Sequence, residues 1–371
     1  MRWDPYQLFY ETGFDSYWAN RLSDGSRKLL FIVGRGFDPR ATLIPRRISE
    51  LGKVAALHGW MLCYRNGQPD TPNTQQKINA NAAEFTEIFS DKLTEIEIRM
   101  RGSGNSHMTS RNTRAAVKRQ QELAKYTDVI VDVSAMPRTI SLTAIAQLIA
   151  LLDEIEQSEG PSVNLHVVVA ESVVSDGHHS SASLSDTVTS LVGFSGQLTA
   201  ESTSNLPRVW FPVLGEGQSA RLERIRSELD PDEICPVIPF PSRDPRRGDR
   251  LIEEYRQLLF DDFRIEPANI LYASEYNPFE AYRQIYGAIS RYRDSLSDLG
   301  GCKVFMSPLS SKLLSVGALL ACYDHRTHSD GLDKINVGIP YIESANYGEP
   351  IDKVAAGIEV YSLWIRGDWE K

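Results

Sequence analysis

The stretch Leu29-Leu30-Phe31-Ile32-Val33-Gly34-Arg35-Gly36-Phe37-Asp38-Pro39-Arg40 decides how this chain is read. Five consecutive apolar residues without polar alternation have the length and composition of a strand covered on both faces. Two glycines then let the backbone turn sharply. Asp38 followed by Pro39 is a cap and first-turn pair that opens a helix, whose pattern is read over residues 41–57. Strand, glycine turn and helix in that order form the unit of a parallel sheet.

The same order recurs outward from this stretch. Residues 129–133 lead through Ser134-Ala135-Met136-Pro137-Arg138 into an apolar helix over 139–155, and a strand over 165–170 follows. Residues 209–214 lead through Gly215-Glu216-Gly217-Gln218-Ser219 into a helix over 220–229. Strands at 235–240, 270–273 and 302–306 alternate with helices at 248–259, 279–296 and 311–323. The expectation is an α/β protein of two Rossmann-like units with mainly parallel sheets, at residues 28–171 and 208–371. The connection, 172–207, is Ser/Thr-rich: fourteen of residues 172–206 are Ser or Thr, with one short element over 188–194. Residues 66–125 read as a helical insertion in the first unit, with helices over 81–100 and 111–125. The runs near 335–339 and 360–365 read as an edge pair closing the second sheet.

Residues 1–27 form an aromatic N-terminal arm holding Trp3, Tyr6, Phe9, Tyr10, Phe14, Tyr17 and Trp18. Such density suits a docking element for a protein partner or self-association; the alternative is an arm that folds back onto its own sheet.

Composition excludes several classes. Forty Lys and Arg stand against 49 Asp and Glu, a net charge of -9, which disfavours a duplex-DNA binder, whose affinity comes from basic surface. No run reaches the roughly 18–20 apolar residues of a membrane span, and the N-terminus has no apolar leader pattern, so a cytoplasmic protein is expected. Cys63, Cys235, Cys302 and Cys322 are scattered singly and read as reduced core residues. His178-His179 and the pair His325 and His328 lack partners at zinc spacing, so no metal site is expected, and no cofactor motif is present. There is no GxSxG elbow and no Walker loop.

Chemistry is expected where ligands meet open parallel sheets, beyond the carboxyl ends of the strands. In the first loop, Arg35, Gly36, Asp38 and Arg40 can form an anion cradle or a well-capped turn. In the second, Asp132 is a carboxylate inside an apolar strand and needs a partner. Ser134 can cap the helix or touch a ligand, and Arg138 opposes the helix dipole, which a bound anion or Asp132 would offset. In the second half, Gly215 and Gln218 offer a ribose or base contact or a plain turn, with Glu216 set against phosphate. Ser307, Ser311 and Lys312 offer hydroxyls and an ammonium at a helix start. Residues 240–249 are a turn carrying Arg243, Arg246 and Arg247. Asn277, Pro278 and Glu280 form a near capping box, leaving Glu275 available as acid or base.

The run Asp132-x-Ser134, small residues and Arg138 opening a helix resembles the second signature of the CARF superfamily, here with Ala135-Met136 in place of a glycine pair. Gly36 to Pro39 resembles that family's G-x-x-P loop. Met306-Ser307-Pro308-Leu309-Ser310-Ser311-Lys312 is similar to the second signature again, and two fused units resemble the SAVED arrangement. The resemblance spans residues 28–170 and 208–325. It implies a nucleotide or cyclic-oligonucleotide sensor or adaptor of prokaryotic antiviral defence or stress, with both halves sharing one cleft. Arg35, Arg40, Arg138 and Lys312 would neutralise phosphate, while Ser134, Ser307 and Ser311 donate hydrogen bonds. Two other readings stay open. One is an enzyme on a nucleotide or sugar-phosphate, hydrolase or glycosyltransferase in type, with Asp132 or Glu275 as general base. The other is a non-catalytic subunit of a larger complex.

Overall fold

The computed structural model describes residues 1–65, 69–102, 107–120, 122–172, 183–185, 187–196, 204–327, 336–346 and 357–370. In chain order the elements begin β1 (Gln7–Tyr10), α1 (Thr12–Arg21), β2 (Lys28–Gly34), α2 (Leu43–Leu51), β3 (Ala56–Arg65), α3 (Pro72–Phe89) and β4 (Leu93–Arg99). Then come α4 (Thr109–Lys118), β5 (Asp128–Asp132), α5 (Arg138–Gln157), β6 (Asn164–Glu171), β7 (Ser183–Leu184) and β8 (Thr189–Ser195). They continue β9 (Arg208–Val213), α6 (Ser219–Leu229), β10 (Glu233–Ile234), β11 (Val237–Pro239), α7 (Arg247–Glu254) and β12 (Leu271–Ala273). The last are α8 (Pro278–Ser295), β13 (Lys303–Pro308), α9 (Lys312–Thr327), β14 (Asn336–Tyr341), β15 (Ser344–Asn346) and β16 (Glu359–Arg366).

The chain forms two α/β units, each built on a mostly parallel, Rossmann-like sheet. The first sheet has the order β1-β16-β6-β5-β2-β3-β4, and β6 through β4 are parallel. Numbered from β2 along the chain, its parallel strands stand in the doubly wound order 3-2-1-4-5. The second sheet has the order β12-β11-β9-β13-β14-β8, with β10 also pairing parallel with β9. With β10 and β11 counted as one interrupted strand, its parallel strands numbered from β9 repeat 3-2-1-4-5. In each unit the sixth place is taken by an antiparallel strand, β16 or β8. The strand order therefore reverses between β2 and β5 in one unit and between β9 and β13 in the other.

The apolar runs behave as their lack of alternation requires. Leu29, Phe31 and Val33 join a core with α1, α2 and α3, while Leu30 and Ile32, pointing to the opposite face, are equally buried. On α5, the residues from Ile140 to Ile149 are all buried. In the second unit, Trp210 packs with Leu222 and Ile225 of α6 and Leu251 of α7.

The structure corrects the reading of the sequence in four places. Residues 66–125 do hold two helices, α3 and α4, but between them Leu93–Arg99 is strand β4 of the sheet, whose Ile96 and Ile98 are buried while Glu95 and Glu97 face outward, and Ala56–Arg65 before them is strand β3. The helix read over 41–57 ends at Leu51, because β3 begins at Ala56. The run over 360–365 does not close the second sheet. As β16 it lies antiparallel between β6 and β1, which returns the C-terminus to the first unit. The element at 188–194, read as part of the connection, is β8 of the second sheet.

The arm folds back. Phe14 and Trp18 enter the first core, β1 pairs with β16, and Trp3 packs edge-on against Tyr282 of the second unit. Met1–Asp4 thus belongs with the second unit, where the Arg2 amide donates to Asp324 at 3.0 Å. The four cysteines are buried and free. Among the described residues, no helix is long and apolar enough to cross a membrane, and no group of three His, Cys, Asp or Glu is placed to hold a metal. His178, His179 and His328 lie outside the described residues.

Candidate functional site

At the reversal point of the first sheet, the loop after β2 lies directly against the loop after β5. A Cβ on Gly34 would stand 2.7 Å from Met136, and one on Gly36 would stand 2.6 Å from the Tyr64 hydroxyl and 3.2 Å from the Ala135 carbonyl. Glycine is required here by close approach, since neither position has a positive φ. Two residues absent from the sequence reading hold the pair of loops. Asn81 on α3 donates to the carbonyls of Gly36 (2.8 Å) and Asp38 (2.9 Å), and Tyr64 at the end of β3 donates to Ala135 (3.2 Å). The signal for Tyr64 was an apolar run ending beside it; Asn81 carried no local signal.

Asp38 caps the turn by accepting the Arg40 amide at 2.9 Å, and it also grips the Arg40 guanidinium at 2.7 Å. Arg40 donates further to the Ala170 carbonyl at 3.2 Å and is 2% exposed. It therefore braces the loop against β6 and presents little surface to a ligand. Arg35 is half-buried and acts on the Cys63 thiol of β3; its Nε is buried with no hydrogen-bond partner among the described residues. Burial, together with Glu95, pushes that thiol up against the opposing effect of Arg35, so Cys63 is not an activated nucleophile.

Asp132 finds its partner two residues on. Its Oδ1 accepts the Ser134 amide at 2.9 Å and the Ser134 hydroxyl at 2.5 Å, and that hydroxyl accepts the Ala170 amide at 2.8 Å. Asp132 Oδ2 is buried and has no hydrogen-bond partner among the described residues. Burial pushes the carboxyl up to about 7, while Ser134 and Arg40 oppose the shift. Arg138 opens α5, whose N-cap, Pro137, supplies no side-chain hydrogen bond. The first turn of this long buried helix therefore keeps its positive end without a local cap.

In the second unit the corresponding loops meet just as closely: a Cβ on Gly215 would stand 2.4 Å from the Leu309 carbonyl. Here the singled-out side chains serve the fold. Ser307 accepts the Trp210 indole N–H at 2.9 Å, and Ser311 caps α9 by accepting the Leu314 amide at 3.2 Å. Gln218 accepts from Arg221 at 2.6 Å and its amide donates to the Tyr255 hydroxyl, which itself donates to the Gly215 carbonyl at 2.5 Å. Glu275 is bound to Arg247 at 2.7 Å and accepts the Arg243 amide; Arg247 also grips Glu216 at 2.7 Å. Burial would raise the Glu216 carboxyl, but Arg247 holds it below its ordinary range. Glu275 is thus an ion-pair partner inside a turn. Lys312 is half-buried in the first turn of α9. Asn277 caps α8 through the amides of Phe279 (3.0 Å) and Glu280 (3.2 Å), as its sequence pattern requires.

Of the residues singled out, the first unit brings Arg35, Gly36, Asp38, Arg40, Asp132, Ser134 and Arg138 to one end of one sheet. The second unit likewise gathers Gly215, Gln218, Ser307, Ser311 and Lys312 at the end of its own. No protein-family model matches this chain, and no curated protein matches it.

Proposed function

We propose that the first unit binds a small phosphate-bearing ligand of nucleotide type in the crevice between the carboxyl ends of β2 and β5. The protein would act as a sensor or adaptor in a prokaryotic defence or stress system. One observation carries the reading: the strand order reverses at β2 and β5, where α5 opens with Arg138 and without a side-chain cap. Doubly wound sheets bind ligands at that point, and an open helix N-terminus attracts anions. Arg138 and Arg35 supply the positive charge. Asp38, Arg40 and Ser134 keep the two loops rigid, and Gly36 lets backbone approach backbone. The cyclic-oligonucleotide class comes from the motif resemblance at Asp132, Ser134 and Arg138. Lys312 holds the equivalent place in the second unit.

Asp132 favours a second reading. A buried carboxyl near neutrality, with one oxygen lacking a protein partner, has the properties of a general base, which suits an enzyme acting on the same ligand class. Calorimetric titration with cyclic di-, tri- and tetranucleotides, which carry no terminal phosphate monoester, tests the first reading. Saturable binding that Arg138→Ala abolishes supports it, and binding indifferent to Arg138→Ala refutes it. Turnover of a bound nucleotide, lost in Asp132→Asn with the fold intact, would decide for the enzyme.

A further inference from the structure

At the opposite end of the first sheet, among the amino-terminal residues of β3 and β4, lies a polar cavity of about 390 Å³. His58 and Trp60 of β3 line it, with Lys92 and Thr94 at the start of β4. Arg119, Gln120, Glu122, Lys125 and Tyr126, between α4 and β5, complete the wall. Register sets the floor: Trp60 pairs with Thr94, and His58 stands two residues before Trp60 on the same face of β3. The His58 ring is fixed by a 2.8 Å hydrogen bond between Nδ1 and the Tyr126 hydroxyl.

Three cations and one carboxylate line this cavity in a chain whose net charge is -9. The cations are available. Lys92 pairs with Asp91 and Lys125 with Glu122, both at the surface, where such pairs are weak and exchange readily. Arg119 is exposed and makes no ion pair among the described residues. The local field is already felt by the protein: after burial itself, the Lys125 and Lys92 ammonium groups hold the His58 imidazole below its ordinary value. With Asp91 counted, three cations stand against two carboxylates; turned from their weak surface pairs toward the cavity, Lys92, Lys125 and Arg119 together match a phosphate monoester, close to a dianion at neutral pH. The volume exceeds that of a bare phosphate and falls in the range of small-molecule sites.

We propose that this cavity binds the phosphoryl group of a small phosphate monoester, with Arg119, Lys125 and Lys92 as its anion ligands. It is separate from the β2–β5 crevice and does not rest on the reading given there. Calorimetry with ribose 5-phosphate, AMP, adenosine and acetate provides the test. Both phosphates should bind, adenosine and acetate should not, and affinity should fall with added salt. The double variant Arg119→Ala, Lys125→Ala changes exposed side chains only and should weaken binding about tenfold or more, the size of a lost charge-assisted contact. Arg138→Ala should leave ribose 5-phosphate binding unchanged. If ribose 5-phosphate fails to bind, or binds the double variant as tightly as the parent, the proposal is overturned. If binding is lost in Arg138→Ala and kept in the double variant, the proposal falls while the crevice between β2 and β5 gains support.

Discussion

Ser134 and Asp132 are joined twice, by the serine amide at 2.9 Å and the serine hydroxyl at 2.5 Å, both to the same carboxylate oxygen. The other oxygen, Oδ2, is buried without a hydrogen-bond partner among the described residues. One half of the carboxyl thus stiffens the loop and ties β5 to β6 through Ala170, while the other half keeps the cost of burial. That division explains why the carboxyl sits near 7, and the consequences can be measured.

Stability should fall as pH rises from about 4 to about 7 through Asp132 alone, and level off above. The sign follows from the raised folded value: between the two values the folded chain holds a proton that the unfolded chain has released. The contribution is of order 4 kcal/mol at most. Asp132→Asn keeps an oxygen for Ser134 and removes the charge. Its melting temperature should exceed that of the parent at about pH 8 and converge with it near pH 4. Equal pH profiles for the two proteins would contradict this.

Ser134→Ala removes the acceptor of the Ala170 amide and one of the two donors to Asp132. Denaturant titration should show a loss of roughly 1–3 kcal/mol with an unchanged slope, the cost of leaving a buried polar group unpaired.

Glycine substitutions should separate close approach from backbone conformation. At Gly215 an added Cβ meets main-chain atoms, the Leu309 carbonyl at 2.4 Å and Ser310 Cα at 2.8 Å, and neither can rotate away. Gly215→Ala should cost roughly 2–4 kcal/mol. Gly217 has open space around it but a φ of +68°, so Gly217→Ala should cost only about 1 kcal/mol.

Arg21 bonds the fully buried Asp128 at 2.6 Å from the far end of the first sheet, and Asp128 also contacts His166 at 3.1 Å. Burial alone would raise the Asp128 carboxyl, but the His166 hydrogen bond and the His166 and Arg21 charges hold it at about 2. Its stabilising effect is therefore present above the ordinary carboxylate range and lost as pH falls toward 2. Burial pushes His166 down to about 4, so acid must also charge a buried imidazole. Arg21→Ala should destabilise by roughly 3–5 kcal/mol and move the acid-unfolding midpoint to higher pH.

Much of the fold was legible because doubly covered strands such as β2, β5 and β9 are apolar without interruption. β4 was not, although Leu93 to Arg99 alternates in period two. Glu95, Glu97 and Met100 are good helix formers, and on an edge strand half the residues stay polar, so propensity masked the period. Nothing local in Glu359–Arg366 says which sheet it joins, because its partners on β6 lie about two hundred residues away. The loops of the candidate site were legible from glycine, cap and proline positions. The roles of Ser307 and Glu275 were not, since Trp210 and Arg247 reach them only through the tertiary fold.

Hydrogen-exchange mass spectrometry with and without a bound cyclic oligonucleotide tests the central claim most directly, because it locates the ligand on the chain. Protection should concentrate in residues 34–40 and 134–138, the two loops that meet at the β2–β5 reversal, and vanish in Arg138→Ala. Ligand-induced protection that leaves both loops unchanged would contradict the account.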